Sequence, residues 1–253
     1  MSVSRTSTRH VAFLSLFLVF LLFLSTEAQA DMHDPSWKWA VVENNSGKPG
    51  IVASQLSVDV TAYSYGTPNQ VLFTFSNSGP EDFSITEIYF DDGALFGMTG
   101  DFITDPGDNV VFDRFEVEMS GPNPQPNLPG AKNVNPPFET SVGFFAAGSS
   151  GSPSGIGAGE SLGIVFDLLG GMSLTNVTNA INVGFDPGTY YGGGAYDGWQ
   201  APSLRIGIHV QSIDGGPWGD DKSDTYILTP VPGAFLLGTL GLGVAGMKMR
   251  RFA

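Results

Sequence analysis

The feature of this sequence that most constrains its fold is a set of short segments in which apolar and polar residues alternate. In the clearest of them, Leu204–Ile213, the even-numbered residues up to position 210 are all apolar. Successive side chains of a strand point to opposite faces of a sheet, so this period of two predicts a strand with one buried face. We therefore expect Arg205, His209 and Gln211, on the other face, to point into the solvent.

Further segments with this alternation predict more strands. They are Leu56–Ala62, Val71–Ser76, Phe83–Phe90, Phe112–Met119, Thr140–Ala146, Leu162–Leu168 and Asp224–Leu228. In the third of these, the apolar positions change parity between Ile85 and Ile88, which predicts a β-bulge near Thr86. The segment Leu162–Leu168 is almost wholly apolar, and we expect it to be buried on both faces.

Turn residues separate the predicted strands. The chain contains 34 glycines and 17 prolines without a collagen-like period, and this composition suits many turns between short strands. Asp91 and Asp92 precede a glycine and predict a turn. Two longer stretches, Gly121–Pro137 and Ala147–Gly159, are rich in glycine, proline and serine, and we expect them to be loops.

One segment has the spacing of a helix. Leu174, Val177 and Ile181 would share one helical face, and Ser173 before them is a favoured N-cap residue. Eight or nine strands with one short helix and long loops predict an all-β fold, a β-sandwich or jelly-roll-like domain.

The first thirty residues have the three parts of a signal peptide. Basic residues beginning with Arg5 precede the apolar run Val11–Leu24, and Ala28 and Ala30 form an A-x-A cleavage site. Cleavage by signal peptidase would leave Asp31 as the first residue of the mature protein. An uncleaved anchor helix is the alternative, but the apolar run is short for the roughly 20 residues of a full membrane span.

The C-terminal end carries a second apolar segment. Residues 232–247 contain no charged side chain, and Lys248, Arg250 and Arg251 follow immediately. As a transmembrane helix rising about 1.5 Å per residue, this segment would cover most of a hydrocarbon core of about 30 Å. The basic cluster would stay on the cytoplasmic side, which leaves the rest of the chain outside. A core helix of the soluble domain is the alternative, which the terminal basic cluster disfavours.

This tail resembles the PEP-CTERM sorting signal. The resemblance is carried by the proline-rich entry, the Leu/Gly-rich helix and the basic cluster; the entry residues are Pro230, Val231, Pro232, Gly233 and Ala234. Pro-Val-Pro stands in place of the usual Pro-Glu-Pro and looks like the variant form of the signal. In that family an exosortase, a membrane cysteine protease of bacteria that make exopolysaccharide, recognises and processes the tail. The resemblance implies that residues 229–253 are a sorting signal and that an exosortase-type protease is a partner.

The middle of the chain also resembles the globular part of PEP-CTERM proteins. The segments that carry this resemblance are Phe73–Pro80, Ile88–Gly93, Gly163–Leu168 and Leu204–Gln211. It implies a setting in the cell envelope or the extracellular polymer matrix, with exopolysaccharide as a candidate partner. It brings no catalytic activity with it.

Charge and composition exclude several classes of function. The formal net charge is −14, and five of the 11 basic residues lie in the terminal segments, so residues 31–228 are strongly acidic and would repel nucleic acid. The absence of cysteine excludes disulfides and thiol catalysis. No H-E-x-x-H, G-x-S-x-G or P-loop motif occurs. We expect no enzymatic activity; a polysaccharide hydrolase that uses two carboxylates is an outside alternative.

Aspartates in predicted loops are the candidate metal ligands, because hard cations prefer oxygen ligands from loops. Asp220, Asp221 and Asp224 are the favoured set for calcium. No aspartate cluster fits the twelve-residue EF-hand frame, and solvated turn residues are the alternative. No other cofactor is expected.

An aromatic cluster precedes the strand Leu204–Ile213. It contains Tyr190, Tyr191, Tyr196 and Trp199, interleaved with glycines. Aromatic faces stack on sugar rings, and tyrosine and tryptophan tolerate partial exposure. The cluster is therefore a candidate carbohydrate-binding loop. Alternatively, its rings fold over an open end of the domain.

These observations predict an exported protein in three parts: a signal peptide (1–30), an acidic β-sandwich domain (31–228) and a membrane-anchoring sorting signal (229–253). We expect it to be anchored in the bacterial inner membrane with its domain outside the cytoplasm, and then passed to the cell surface or extracellular matrix. The expected role is structural or adhesive, without catalysis. The alternative is a carbohydrate-binding module that recognises exopolysaccharide.

Overall fold

The computed structural model describes residues 37–63, 69–92, 95–104, 109–116, 127–147, 154–185, 203–213 and 222–231, which belong to one compact unit. These residues are mostly β-sheet, with few helices. The strands in chain order are β1 (Trp37–Asn44), β2 (Leu56–Tyr63), β3 (Gln70–Asn77), β4 (Ser84–Asp92), β5 (Phe96–Thr104), β6 (Phe112–Glu116), β7 (Val142–Ala146), β8 (Ser161–Leu168), β9 (Leu204–Ile213) and β10 (Lys222–Pro230).

The strands form two antiparallel sheets. The six-stranded sheet has the order β1-β10-β9-β4-β7-β6, and the four-stranded sheet has the order β2-β3-β8-β5. Strands β1 and β2 are therefore edge strands of different sheets. The first strand pairs with the last, and their register places Trp37 opposite Pro230.

Two helices connect strands of different sheets. Helix α1 (Pro49–Ala53) joins β1 to β2, and helix α2 (Leu174–Val183) joins β8 to β9. The side-chain oxygen of Asn176 accepts a hydrogen bond of 2.9 Å from the backbone N–H of Ser173. This bond caps the N-terminus of α2. Two 3₁₀ turns, Ala131–Asn133 and Leu169–Gly171, complete the described helical elements.

A cluster of phenylalanine rings fills the space between the two sheets. Phe90 of β4 lies in the six-stranded sheet, and its ring centroid is 5.3 Å from that of Phe73 and 4.9 Å from that of Phe166. Phe73 and Phe166 belong to the four-stranded sheet. All three rings are buried, and their edge-to-face geometry is a favourable one for aromatic pairs. The two sheets therefore share one apolar core.

Most of the predicted strands and the helix are confirmed, with boundaries that shift by a few residues. The predicted β-bulge is present, because the pairing of β4 with β9 shifts register between Ile85 and Glu87. Burial of β8 on both faces is also confirmed over Leu162–Phe166. The residues Asp91 and Asp92, predicted to close the strand with a turn, are the last two residues of β4, and the Asp92 carboxylate accepts hydrogen bonds from the backbone N–H groups of Leu95 and Phe96 beyond the strand end.

Two strands were not predicted, because neither shows a period of two. β1 is an edge strand in which Trp39 is buried and the other positions are exposed or partly buried without regular alternation. β5 contains two glycines and an aspartate, and its pairing with β8 shifts register twice. In both strands the pairing is imposed by the neighbouring strand rather than by an alternating sequence.

A segment predicted to be a loop packs on the outer face of the six-stranded sheet. We call residues 127–140 the cover segment. Leu128, Ala131 and Phe138 of this segment form a second buried cluster with Tyr89 and Ile227 of the sheet. The described part of the predicted loop Gly121–Pro137 is irregular apart from the 3₁₀ turn Ala131–Asn133, and a layer of apolar side chains that was not predicted fixes it to the sheet.

Candidate functional site

The outer face of the six-stranded sheet contains a buried ion pair beneath the cover segment. Arg205 of β9 pairs with Asp91 of β4, and both side chains are almost completely buried. The guanidinium also donates to the carbonyl oxygens of Pro136 (2.6 Å) and Pro137 (2.7 Å). It lies 5.2 Å from the ring centroid of Phe138. Arg205 therefore clamps the cover segment to the sheet.

The prediction that Arg205 faces the solvent is wrong, although its strand face was assigned correctly. Arg205 does point away from the core between the sheets, but that side of the sheet is itself covered. A single glycine permits the close approach: a Cβ atom on Gly207 would lie 2.7 Å from Leu128 Cδ1. Such a contact is shorter than real Cβ atoms make, so the cover segment needs glycine at this position.

The other outward residues of β9 lie in a partly open polar cluster. Glu87 Oε2 accepts a 2.5 Å hydrogen bond from the hydroxyl of Tyr89 and lies 3.1 Å from His209 Nδ1. Gln211 Nε2 is 3.4 Å from the same histidine nitrogen. The His209 side chain is 12% exposed. The expectation that His209 and Gln211 face the solvent therefore holds only in part.

Burial and hydrogen bonding set the protonation of this cluster. Burial acts to raise the pKa of Glu87, but the hydrogen bonds from His209 and Tyr89 and the charge of His209 outweigh it and place the pKa below its usual value. Burial, followed by the nearby Glu87 charge, raises the pKa of Tyr89. The carboxylate of Glu87 bonds both to the phenol of Tyr89 on its own strand and to the imidazole of His209 on β9, and the second bond helps to hold β4 against β9.

Asp224, one of the predicted calcium ligands, lies in a buried hydrogen-bond network at the start of β10. Its carboxylate accepts from the backbone N–H groups of Asn45 (2.8 Å) and Ser46 (2.9 Å). It also accepts from the hydroxyls of Ser46 (2.5 Å) and Tyr226 (2.9 Å). Asp224 thereby ties the turn after β1 to the sheet. Burial of the Tyr226 phenol raises the pKa of Tyr226, and the hydrogen bond to Asp224 and the charge of that carboxylate raise it further.

The other proposed calcium ligands, Asp220 and Asp221, lie outside the described residues. Across the part of the chain that the structure describes, no group of three or more histidine or acidic side chains could hold a metal ion.

A groove opens between the edge strands β1 and β2 and has a volume of about 320 Å³. It lies beside helix α1, and its lining residues are Trp37, Lys38, Trp39, Gly50, Ala53, Ser54, Leu56, Ser57, Val58 and Leu228. None of these is acidic, although the chain as a whole carries a formal charge of −14. We call this space the Trp37 groove.

The chain connection explains why the Trp37 groove exists. Strand β1 ends one sheet, β2 ends the other, and α1 crosses between them. The small residues Gly50 and Ala53 of α1 leave the space beside the strands unfilled. The indole N–H of Trp37 donates to the side-chain oxygen of Asn182 in α2 at 2.8 Å, which fixes the ring in place. Trp39 is buried and belongs to the main core.

The groove was not predicted from the sequence. It requires the edge strands of two different sheets, β1 and β2, to meet at one side of the domain, and β1 was not predicted as a strand. The signal available was the pair Trp37 and Trp39, two large rings on one face of an extended segment in a chain with only four tryptophans.

Several predicted sites lie outside the described residues. These are the cleavage site at Ala28, Ala30 and Asp31; the aromatic loop at Tyr190, Tyr191, Tyr196 and Trp199; and Pro232, Gly233, Ala234, Lys248, Arg250 and Arg251 of the sorting signal. Pro230 and Val231 are described, and Pro230 is the last residue of β10. Among the described residues there is no helix with the length and apolar character needed to span a membrane.

Comparison with known proteins gives no relative from which a function could be transferred. No protein-family model, no curated protein and no solved structure matches this chain.

Proposed function

We propose that this chain is an exported, membrane-tethered surface or matrix protein with a structural or adhesive role and no catalysis. Residues 1–30 direct export, residues 31–228 form a β-sandwich domain related to jelly rolls, and residues 229–253 anchor the chain until an exosortase-type protease processes it. The domain then acts at the cell surface or in the extracellular matrix.

The observation that carries this proposal is a combination of features. Both terminal segments have the sequence pattern of targeting signals, and the described polar clusters of the domain between them hold the fold together. Asp91 and Arg205 fix the cover segment to the sheet. Asp224 fixes the turn after β1. Buried polar groups used in this way give a stiff, well-defined domain. Such a domain suits a structural or adhesive role.

The interleaving of strands supports the jelly-roll comparison. In the six-stranded sheet β4 lies between β9 and β7, and in the four-stranded sheet β8 lies between β3 and β5. Chain neighbours are thus distributed over two sheets, as in double-sheet jelly rolls. Three pairs of consecutive strands, β2–β3, β6–β7 and β9–β10, instead pair within one sheet and depart from that pattern.

Intact-mass measurement of the protein from membrane and culture-medium fractions tests the proposal. We expect a membrane form that begins at Asp31, and a shorter form without the apolar tail in the medium or on the cell surface. Neutralising the basic cluster with Lys248→Gln, Arg250→Gln and Arg251→Gln should reduce correct anchoring. Full-length chain in the cytosol, with Met1 retained, would contradict the proposal.

A second candidate function is carbohydrate binding. It is favoured by the Trp37 groove, an unfilled space with a fixed tryptophan at its side. The aromatic loop with Tyr190, Tyr191, Tyr196 and Trp199 is a separate candidate surface on the same chain. Binding of the protein to exopolysaccharide from its own host distinguishes this candidate from a purely structural role. Loss of binding in Trp199→Ala would locate the site at the loop.

A further inference from the structure

We propose that the Trp37 groove binds a neutral oligosaccharide, with one or two sugar rings seated against the tryptophan side of the groove. This inference rests on the second candidate function and assigns it a site and a ligand class. The support comes from the size of the groove, its fixed aromatic side, its backbone edges and its charge.

The size and shape of the groove suit a small ligand. Its volume of about 320 Å³ lies at the lower end of the roughly 300–1,000 Å³ that is usual for small-molecule sites. It opens to solvent between two strand edges, so a ligand can enter it from outside the domain.

The aromatic side of the groove is held rigidly. The hydrogen bond between Trp37 and Asn182 joins residues 145 positions apart in sequence, so the indole orientation is set by the packing of α2 against the sheets. Trp39, two residues on, points the same way and is anchored in the core. A fixed aromatic ring binds the C–H face of a sugar with little loss of conformational entropy.

The strand edges supply hydrogen-bonding groups. Among the described strands, β1 pairs only with β10 and β2 pairs only with β3. The backbone N–H and C=O groups on the groove side of each strand can therefore meet sugar hydroxyls. Ser54 Oγ donates to the carbonyl oxygen of Ile51 at 2.7 Å, and its lone pairs can still accept a hydrogen bond from a ligand.

Charge favours a neutral ligand over an anionic one. The single charged residue in the lining is Lys38, which is exposed and therefore screened by solvent. No carboxylate lines the groove, so no negative charge on its wall would have to be desolvated when a sugar binds. The formal charge of −14 repels polyanions at long range, and this repulsion strengthens at low salt. Uronate-rich polymers and nucleic acid are disfavoured for the same reason.

Titration of the full chain with neutral tetrasaccharides tests the proposal. The chain is purified in a detergent without a sugar headgroup, and cello-, xylo-, manno- and β-1,3-gluco-tetraose are added while tryptophan fluorescence and heat are recorded. We expect at least one of them to bind with a dissociation constant of about 0.1 mM. Trp37→Ala should weaken this binding about tenfold, whereas Trp199→Ala should leave it unchanged.

A matched pair of variants on α1 separates ligand binding from folding. Gly50 lines the groove, and a Cβ atom there would meet nothing within 4 Å. The side chain of Gly50→Gln should therefore fill the groove without a clash, and the melting temperature of the protein should stay unchanged. Ile51 on the same helix is 48% exposed and does not line the groove. Gly50→Gln should abolish sugar binding, and Ile51→Gln should retain it.

Three outcomes would overturn the inference. The first is the absence of binding by all four tetrasaccharides, and the second is unchanged affinity in Gly50→Gln. The third is binding of the octapeptide (Ser-Val)₄ without binding of the sugars, which would assign the groove to strand addition along β1. If the sugars fail to bind while intact mass still finds the processed protein outside the cytosol, the groove inference fails and the proposed export stands.

Discussion

The covered face around Arg205 and the open groove beside Trp37 show two opposite uses of polar and aromatic side chains. Under the cover segment, the guanidinium meets a carboxylate, two carbonyl oxygens and an aromatic ring. In the Trp37 groove, one tryptophan is fixed by a hydrogen bond, and a space of about 320 Å³ remains in front of the lining residues. The first region uses its polar groups to complete the fold, and the second leaves room for another molecule.

The largest effect should come from breaking the covered ion pair. Arg205→Met leaves the Asp91 carboxylate buried without its cation, and we expect the free energy of unfolding to fall by about 3–5 kcal/mol. Urea unfolding of the full chain measures this loss. The double variant Asp91→Asn/Arg205→Met should recover part of it, because no charge then remains buried. A loss under about 1 kcal/mol in Arg205→Met would show that the pair contributes little to the covered region.

A smaller effect is expected from crowding the cover segment. In Gly207→Ala the added methyl would overlap Leu128, which must shift, and we expect a cost of about 1–3 kcal/mol. Thermal unfolding measures this loss of stability. Faster proteolysis within residues 127–140 would show that the destabilisation is located in the cover segment. A wild-type melting temperature in Gly207→Ala would mean that the segment can move away freely.

The end of β4 should also show a dependence of stability on pH, through Asp92. Burial, together with the charge of Asp91, raises the pKa of Asp92 from 3.8 to about 6, although the N–H groups of Leu95 and Phe96 oppose this. The folded state thus holds its proton more tightly than the unfolded state. The contribution of Asp92 to stability is complete below about pH 4 and is lost as pH rises towards about 6, a change of roughly 3 kcal/mol.

Unfolding measured between pH 4 and pH 7 in the wild type and in Asp92→Asn checks this contribution. Glu87 acts in the opposite direction, because its lowered pKa stabilises the fold above the usual pKa and this stabilisation is lost as pH falls. The difference between the two proteins isolates Asp92. A difference that does not change with pH would contradict the raised pKa.

The smallest effect should come from the groove. In Gly50→Ala the methyl group enters open space on a helix, so we expect unchanged stability or a gain of up to about 1 kcal/mol. Differential scanning calorimetry of Gly50→Ala beside Gly207→Ala compares the same substitution at an open and a covered position. Equal losses in the two variants would remove the distinction between the regions.

The sequence predicted most of the strands because burial of one strand face leaves a period of two. β3 and β9 show this clearly, and α2 shows the corresponding helical spacing. The bulge in β4 was also visible, since one extra residue reverses the apolar parity. Local patterns of this kind survive in any tertiary context that keeps one face apolar.

The cover segment and the groove depend on contacts that no local pattern encodes. The position of Leu128 depends on a glycine 79 residues further on, at 207. The exposure of Arg205 depends on whether another part of the chain covers that face. The alternation of residues along a strand therefore predicts which face of the sheet a side chain occupies. Only the tertiary structure determines whether that face is exposed to solvent.

The pairing of Trp37 with Pro230 has a mechanical consequence. Leu228, in the strand that leads towards the tail, also lines the Trp37 groove. If the protein is tethered through its tail and binds a polymer as proposed above, a pulling force between the two would run along β10 and the adjoining end of β1, and not through the phenylalanine rings. The rest of the domain would carry little tension, so the linkage could bear a load without being unfolded by it.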